Sequence, residues 1–245
     1  CCRIRHGARS ICNYNGVGAK KITITVSAAA SLSSAYKEIG KQFELSNPTI
    51  KISFNFASSS SLVNQIQSGA PSDVFAAADL VSFNTLRTKG LVTGSPKVFA
   101  RNAMQLIVKP GNPLGITSVR NLNKAKTISL CAKSAPCGVY AGQIIKRYGV
   151  VIAESKITRG VDATAALNAV VNGDADAGIV YATDALSAKK MVRVIALPGA
   201  TNIKAAYGIS VIRASKHGAM AKKFVAFVLS SQGGRILSSY GFQAP

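Results

Sequence analysis

Two short serine-rich segments stand where a strand gives way to a helix, and their chemistry is that of anion capture. The first follows Ile22-Thr23-Ile24-Thr25-Val26 and runs Ser27-Ala28-Ala29-Ala30-Ser31 into an amphipathic stretch. The second follows a strand pattern from Ile50 to Phe56 and runs Ala57-Ser58-Ser59-Ser60-Ser61. The first turn of a helix leaves backbone N–H groups unpaired and carries about half a unit of positive charge. A serine there adds a hydroxyl donor. Two such ends facing one cleft make a site for a small oxyanion without a charged side chain.

Bond-making chemistry lacks its parts. A serine nucleophile needs a base within hydrogen-bond reach. The chain has two histidines, His6 in an irregular head and His217 ahead of Gly218 at the start of a late surface helix. There is no Gly-x-Ser-x-Gly elbow, no Walker loop and no Gly-x-Gly-x-x-Gly after a strand. Nine acidic residues leave few carboxylate pairs for glycoside or metal chemistry. Asp73 and Asp79 read as turn or cap residues. The expectation is a binding protein and not an enzyme.

Five cysteines remain. Cys131 and Cys137 bound a loop, Leu130-Cys131-Ala132-Lys133-Ser134-Ala135-Pro136-Cys137-Gly138, short enough to close as a disulfide, with two buried thiols as the alternative. A metal pair would need a second cysteine pair or a histidine cluster, and neither is there. A disulfide implies an oxidising compartment. Cys1, Cys2 and Cys12 fall in residues 1–20, a basic segment without periodicity. A chain starting at Cys fits a lipid on Cys1 after signal removal, which would leave Cys2 and Cys12 to pair; a basic tail with free thiols is the alternative.

The elements that must position these groups follow from periodicity. Leu32, Ala35, Tyr36, Ile39 and Phe43 recur at helical spacing, and Asn47-Pro48 ends that helix. Ile50, Ile52, Phe54 and Phe56 alternate as a strand. Leu62, Val63 and Ile66 mark the next helix, with Gly69 at its C-terminal end. Val74 to Ala77 is a short buried strand, and Asp79 opens a helix that runs to Gly90. This β-α-β-α-β rhythm predicts a parallel sheet with helices on both faces.

A second unit starts near Ala103. Strands are expected at Met104–Val108, Ile128–Leu130, Gly178–Tyr181, Val192–Leu197 and Tyr207–Ile212. Pro136 opens a helix whose apolar face is Val139, Tyr140, Ile144, Ile145 and Tyr148, stopped by Gly149. Asp162 caps a helix over Ala163 to Val171. The last helices carry Met220, Phe224, Phe227, Val228, Ile236 and Leu237. The expected division is residues 21–100 plus 206–245 for one lobe and 101–205 for the other.

Composition bounds the partners. The chain has 245 residues, enough for a sizeable core, and 48% hydrophobic residues with 16% charged read as a folded globular protein. No apolar run approaches the roughly 20 residues that span a bilayer. The net charge of +21 is spread over almost every segment, with runs no longer than pairs such as Lys20-Lys21, Lys189-Lys190 and Lys222-Lys223. There is no Trp and no RNA-recognition, zinc-finger or basic-zipper pattern, which disfavours nucleic acid as a partner. A basic surface draws anions toward a cleft.

Several segments in fixed order carry a family resemblance. They are Ala28-Ala29-Ala30-Ser31-Leu32, Phe56-Ala57-Ser58-Ser59-Ser60, Gln65-Ile66, Gly69-Ala70-Pro71-Ser72-Asp73-Val74-Phe75 and Ala78-Asp79-Leu80. Pro136-Cys137-Gly138-Val139-Tyr140-Ala141, Gly178-Ile179-Val180-Tyr181-Ala182-Thr183-Asp184-Ala185 and Tyr240-Gly241-Phe242 continue the series. From about residue 21 to its end the chain resembles the molybdate-binding proteins of bacterial ABC importers, which are type II periplasmic binding proteins.

The resemblance implies an α/β fold of two lobes, each a mostly parallel sheet flanked by helices, with the ligand cleft between them. It implies molybdate or tungstate as ligand, and a permease with its ATPase as partners. The setting would be periplasmic or otherwise extracytoplasmic. It also implies the contacts: hydroxyls of Ser31, Ser59 and Tyr181, and backbone amides of Ser31, Ser59, Cys137 and Ala163. Asp162 and Thr164 are the neighbouring alternatives for the last amide. These groups would touch the oxyanion's oxygens and are not direct metal ligands, and no cofactor is implied. A monomer is expected. The alternatives are a receptor for another tetrahedral oxyanion such as sulfate, and a basic surface or nucleic-acid-binding protein.

Overall fold

The computed structural model describes residues 21–245. Cys1, Cys2, Cys12 and His6, and the expectations attached to them, lie outside the described residues. Among the described residues nine strands form one continuous sheet in the order β2 (Ile50–Ala57), β1 (Ile22–Ala29), β3 (Val74–Ala77), β9 (Lys204–Val211), β4 (Lys97–Val108), β7 (Ala177–Tyr181), β5 (Ile128–Cys131) and β6 (Ile157–Gly160), with β8 (Arg193–Ala196) beside β4. The first half is built from β1 (Ile22–Ala29), β2 (Ile50–Ala57) and β3 (Val74–Ala77). These pair in parallel, as βαβ crossovers require.

Successive residues of β3 point to opposite faces. Val74 and Ala76 join the main core with Tyr36, Ile39 and Phe43 of α1 (Ser33–Ser46). Phe75 and Ala77 join a smaller core with Leu62 and Ile66 of α2 (Ser59–Gln67) and Phe83 and Leu86 of α3 (Leu80–Thr88). Period-2 alternation therefore places helices on both faces of the sheet. Phe224 of α7 (Gly218–Leu229) meets Phe43 edge-on at 5.3 Å, and α8 (Ser231–Ser239) closes that layer with Leu237.

The second half contains β5 (Ile128–Cys131), β6 (Ile157–Gly160) and β7 (Ala177–Tyr181), also parallel. Helices α4 (Pro136–Arg147), α5 (Ala163–Val171) and α6 (Ala182–Ser187) pack on them. The halves are joined by two strands that run antiparallel to their neighbours. Residues 97–103 of β4 (Lys97–Val108) pair with β9 (Lys204–Val211). Residues 104–108 of β4 pair with β7 on one side, and residues 105–108 pair with β8 (Arg193–Ala196) on the other. One strand thus changes partners midway along its length.

The structure corrects several local expectations. Ser27 to Ala29 are not part of a turn: β1 continues through them, because each residue is paired with β2 as far as Ala29↔Ala57. The turn is Ala30–Leu32, a single 3-10 turn leading into α1. In the second segment the cap is Ser58, whose hydroxyl accepts from the Ser61 N–H, and Ser59 to Ser61 are already helical. β4 begins at Lys97, before the expected boundary at Ala103. Of the face expected for α4, Ile144 is buried and Tyr140, Ile145 and Tyr148 pack against the core, whereas Val139 is 41% exposed; Cys137 and Ala141 complete the buried side.

Candidate functional site

The C-terminal ends of β1 and β7 and the N-termini of three helices converge on one small cavity. It gives about 10 Å³ to the centre of a water-sized atom. Ala30 and Ser31 enter from the turn after β1, and Ser58 and Ser59 from the start of α2. Pro136 and Cys137 come from the start of α4, Asp162 and Ala163 from the start of α5, and Tyr181 from the end of β7. The five residues expected at a site, Ser31, Ser59, Cys137, Ala163 and Tyr181, all line it.

Local chemistry explains the arrangement. Asp162 accepts the Ala165 N–H at 2.9 Å and so fixes where α5 begins. Pro136 at the first position of α4 has no N–H, which makes Cys137 the first donor of that helix. Gly138 lets the helix start lie against the preceding loop: a Cβ there would collide with the carbonyl of Ala132 and sit 2.8 Å from that of Cys131. The Cys131–Cys137 disulfide is formed, and it ties the end of β5 to the same helix start. Replacing both cysteines with serine is expected to lower the unfolding free energy by about 2 kcal/mol, read from denaturant melts of the variant against the parent.

The hydroxyls are aimed by a buried chain. The Ala103 N–H donates to Asn102 Oδ1 at 3.0 Å, which fixes the side-chain amide. Asn102 Nδ2 then donates to Thr183 Oγ1 at 2.9 Å and to Tyr207 Oη at 3.3 Å. Tyr207 Oη lies 2.9 Å from Ser31 Oγ. With Tyr207 donating to Ser31, the Ser31 proton is left for the cavity. Ser59 Oγ accepts the Ala78 N–H at 3.0 Å, and its proton is likewise left over. Tyr207 and Asn102 were not expected at the site. Alternation marked Tyr207 as a strand residue, and nothing in the linear pattern told that its hydroxyl meets Ser31.

Tyr181 is 1% exposed, and its hydroxyl has no hydrogen-bond partner. Burial holds its pKa well above the usual tyrosine value, so it stays a neutral donor. A buried hydroxyl without a partner costs about 1–3 kcal/mol, which a ligand oxygen would offset. No Lys, Arg or His lines the cavity among the described residues. Asp162 is the one carboxylate there, and it is engaged as a cap.

Asp79 and Asp73 hold structure, as the sequence suggested. Asp79 caps α3 through the Ser82 N–H and hydroxyl. Asp73 accepts from the Thr25 N–H at 2.7 Å and the Ser215 hydroxyl at 2.6 Å, with His217 Nδ1 at 3.5 Å. Among the described residues no group of three His, Cys, Asp or Glu could hold a metal ion, and no helix is long and apolar enough to cross a membrane.

Helix N-termini and hydroxyls from both halves of the sheet, converging on one cavity, are the geometry of a solute receptor. The chain belongs to the bacterial extracellular solute-binding proteins, whose family model matches residues 24–243. It is 38% identical over 224 residues to a molybdate-binding protein, ModA, of Mycobacterium tuberculosis, covering 91% of this chain and 85% of that one. It is 30% identical over 229 residues to the molybdate-binding protein of Haemophilus influenzae, with 90% of each chain covered. Its fold matches that of the Azotobacter vinelandii periplasmic molybdate-binding protein with a TM-score of 0.81, at 19% identity, over 91% of this chain and 99% of that chain.

Proposed function

We propose that this chain captures molybdate or tungstate in the cavity and delivers it to an ABC importer. The observation that carries the reading is the Tyr181 hydroxyl, buried without a partner in a cavity that no Lys, Arg or His lines among the described residues. Molybdate and tungstate are fully deprotonated near neutral pH and offer acceptors alone, so a donor-only cavity suits them. Protonated phosphate would need an acceptor in the site. Hydroxyls of Ser31, Ser59 and Tyr181 and amides of Ser31, Ser59, Cys137 and Ala163 are the proposed contacts. The ModA relatives of this chain support the choice of oxyanion.

The proposed lobes are residues 21–100 plus 206–245 and residues 101–205. An anion held by Ser31 and Ser59 from one and by Cys137, Ala163 and Tyr181 from the other stabilises the closed form, because it gains contacts only there. A permease that recognises the closed form would then accept the loaded receptor. The protein is proposed to act as a monomer outside the cytoplasm without catalysing a reaction.

Calorimetric titration with molybdate, with sulfate and phosphate as competitors, tests the reading. Tight one-to-one binding that excess sulfate does not displace is expected. Equal binding of all three anions, or none, would sink it; a preference for sulfate would assign the same fold to another oxyanion.

A further inference from the structure

Behind the oxyanion cavity lies a second, larger one of about 260 Å³, and Ser31 lines both. Its walls mix apolar side chains such as Leu167 and Phe242 with polar ones: Ser34 from α1, Thr164 and Asn168 from α5, Asp184 from α6 and Tyr240 after α8. Asp184 is 7% exposed, and its Oδ2 has no hydrogen-bond partner. It lies three residues past Tyr181, at the start of the helix that follows β7.

No cation balances it: no Lys, Arg or His lines this cavity among the described residues. The titratable groups that face Asp184 are acids. Asp162 comes from the start of α5, Tyr181 from β7 and Tyr207 from β9. Tyr240 shares the cavity wall, while Asp79 and Tyr140 act on the same tyrosines. The Tyr181 backbone N–H is the one group that favours the carboxylate form.

We propose that Asp184 takes up a proton from solvent when a dianion enters the neighbouring cavity, which makes oxyanion capture proton-coupled. The inference rests on the oxyanion reading of the site. Desolvation first, and the Asp162 charge second, push the Asp184 carboxyl up to about 7, so both of its forms are present near neutrality. A bound dianion adds negative charge beside it and raises its proton affinity further. Linkage makes the effect reciprocal: the protonated form binds the dianion more tightly than the ionised form. Asp79 does not play this part, because Ser82 satisfies both of its oxygens.

Molybdate is titrated calorimetrically from about pH 6 to about pH 8.5, in two buffers of different ionisation enthalpy, to count protons taken up per anion. Affinity is expected to fall on the order of ten-fold across the range, with fractional proton uptake around neutrality. Asp184→Asn should abolish both the uptake and the slope, and Asp79→Asn should keep them. Binding without proton uptake by the parent chain overturns the inference with no variant needed. An Asp184→Asn protein that keeps the slope overturns it equally. Absence of molybdate binding at every pH would instead bring down the oxyanion reading, and this inference with it.

Discussion

Ser31→Ala combined with Tyr181→Phe is expected to weaken molybdate binding by about two to four orders of magnitude. Each substitution removes a hydroxyl donor proposed to meet the anion, and a hydrogen bond to a charged group is worth about 1.5–3 kcal/mol. The single substitutions should differ in their effect on the empty protein. Ser31→Ala deprives the Tyr207 hydroxyl proton of its partner at 2.9 Å, while the Tyr207 oxygen still accepts from Asn102. Tyr181→Phe deletes a hydroxyl that has no partner in the ligand-free structure, and should raise stability by about 1 kcal/mol. A variant that gains thermal stability and loses affinity would mark Tyr181 as a group maintained for the ligand. Unchanged affinity in the double variant would refute the contact assignment.

Gly138→Ala should be nearly as damaging, by a different route. The new methyl would collide with backbone carbonyls of Ala132 and Cys131, which have no rotamer to change and are tied back by the disulfide. The start of α4 must move outward and take the Cys137 N–H with it. A loss of about 3 kcal/mol in stability is expected, with at least a ten-fold loss of affinity if one charge-assisted bond goes. Gly142→Ala is the control. It lies on the same helix with open space around it and should be neutral or slightly stabilising. Calorimetry and thermal melts of the two variants separate a local clash from a general intolerance of the helix to alanine.

Local chemistry was legible in the sequence, and long-range pairing was not. Asp79 and Asp162 announce helix starts because an N-cap is decided within four residues, and both stand where expected. Gly149 follows the end of α4 with φ +66, the left-handed conformation that a glycine adopts without strain. The end of β1 was misplaced because Ser27-Ala28-Ala29 has no strand signature of its own and is held extended by β2 on one side and β3 on the other. β6 was missed for the same reason: four residues ending in Gly160 become a strand through β5. Ser31, Ser59, Cys137 and Tyr181 lie in the quoted family motifs, and the structure brings them to one cavity. Tyr207 and Asn102 were not legible, since their roles arise across separations of 176 and 105 residues.

The contrast between a basic exterior and a cavity without cations separates arrival from departure. A net charge of +21 raises the local concentration of anions and speeds encounter, and dissolved salt erodes that effect. Once seated in the proposed site, the anion would be held by short-range neutral dipoles that salt does not reach. Stopped-flow measurements should therefore show the association rate dropping steeply with ionic strength while the residence time stays constant. Such a receptor would collect scarce anions fastest in dilute surroundings, yet hold each one equally long wherever it was caught.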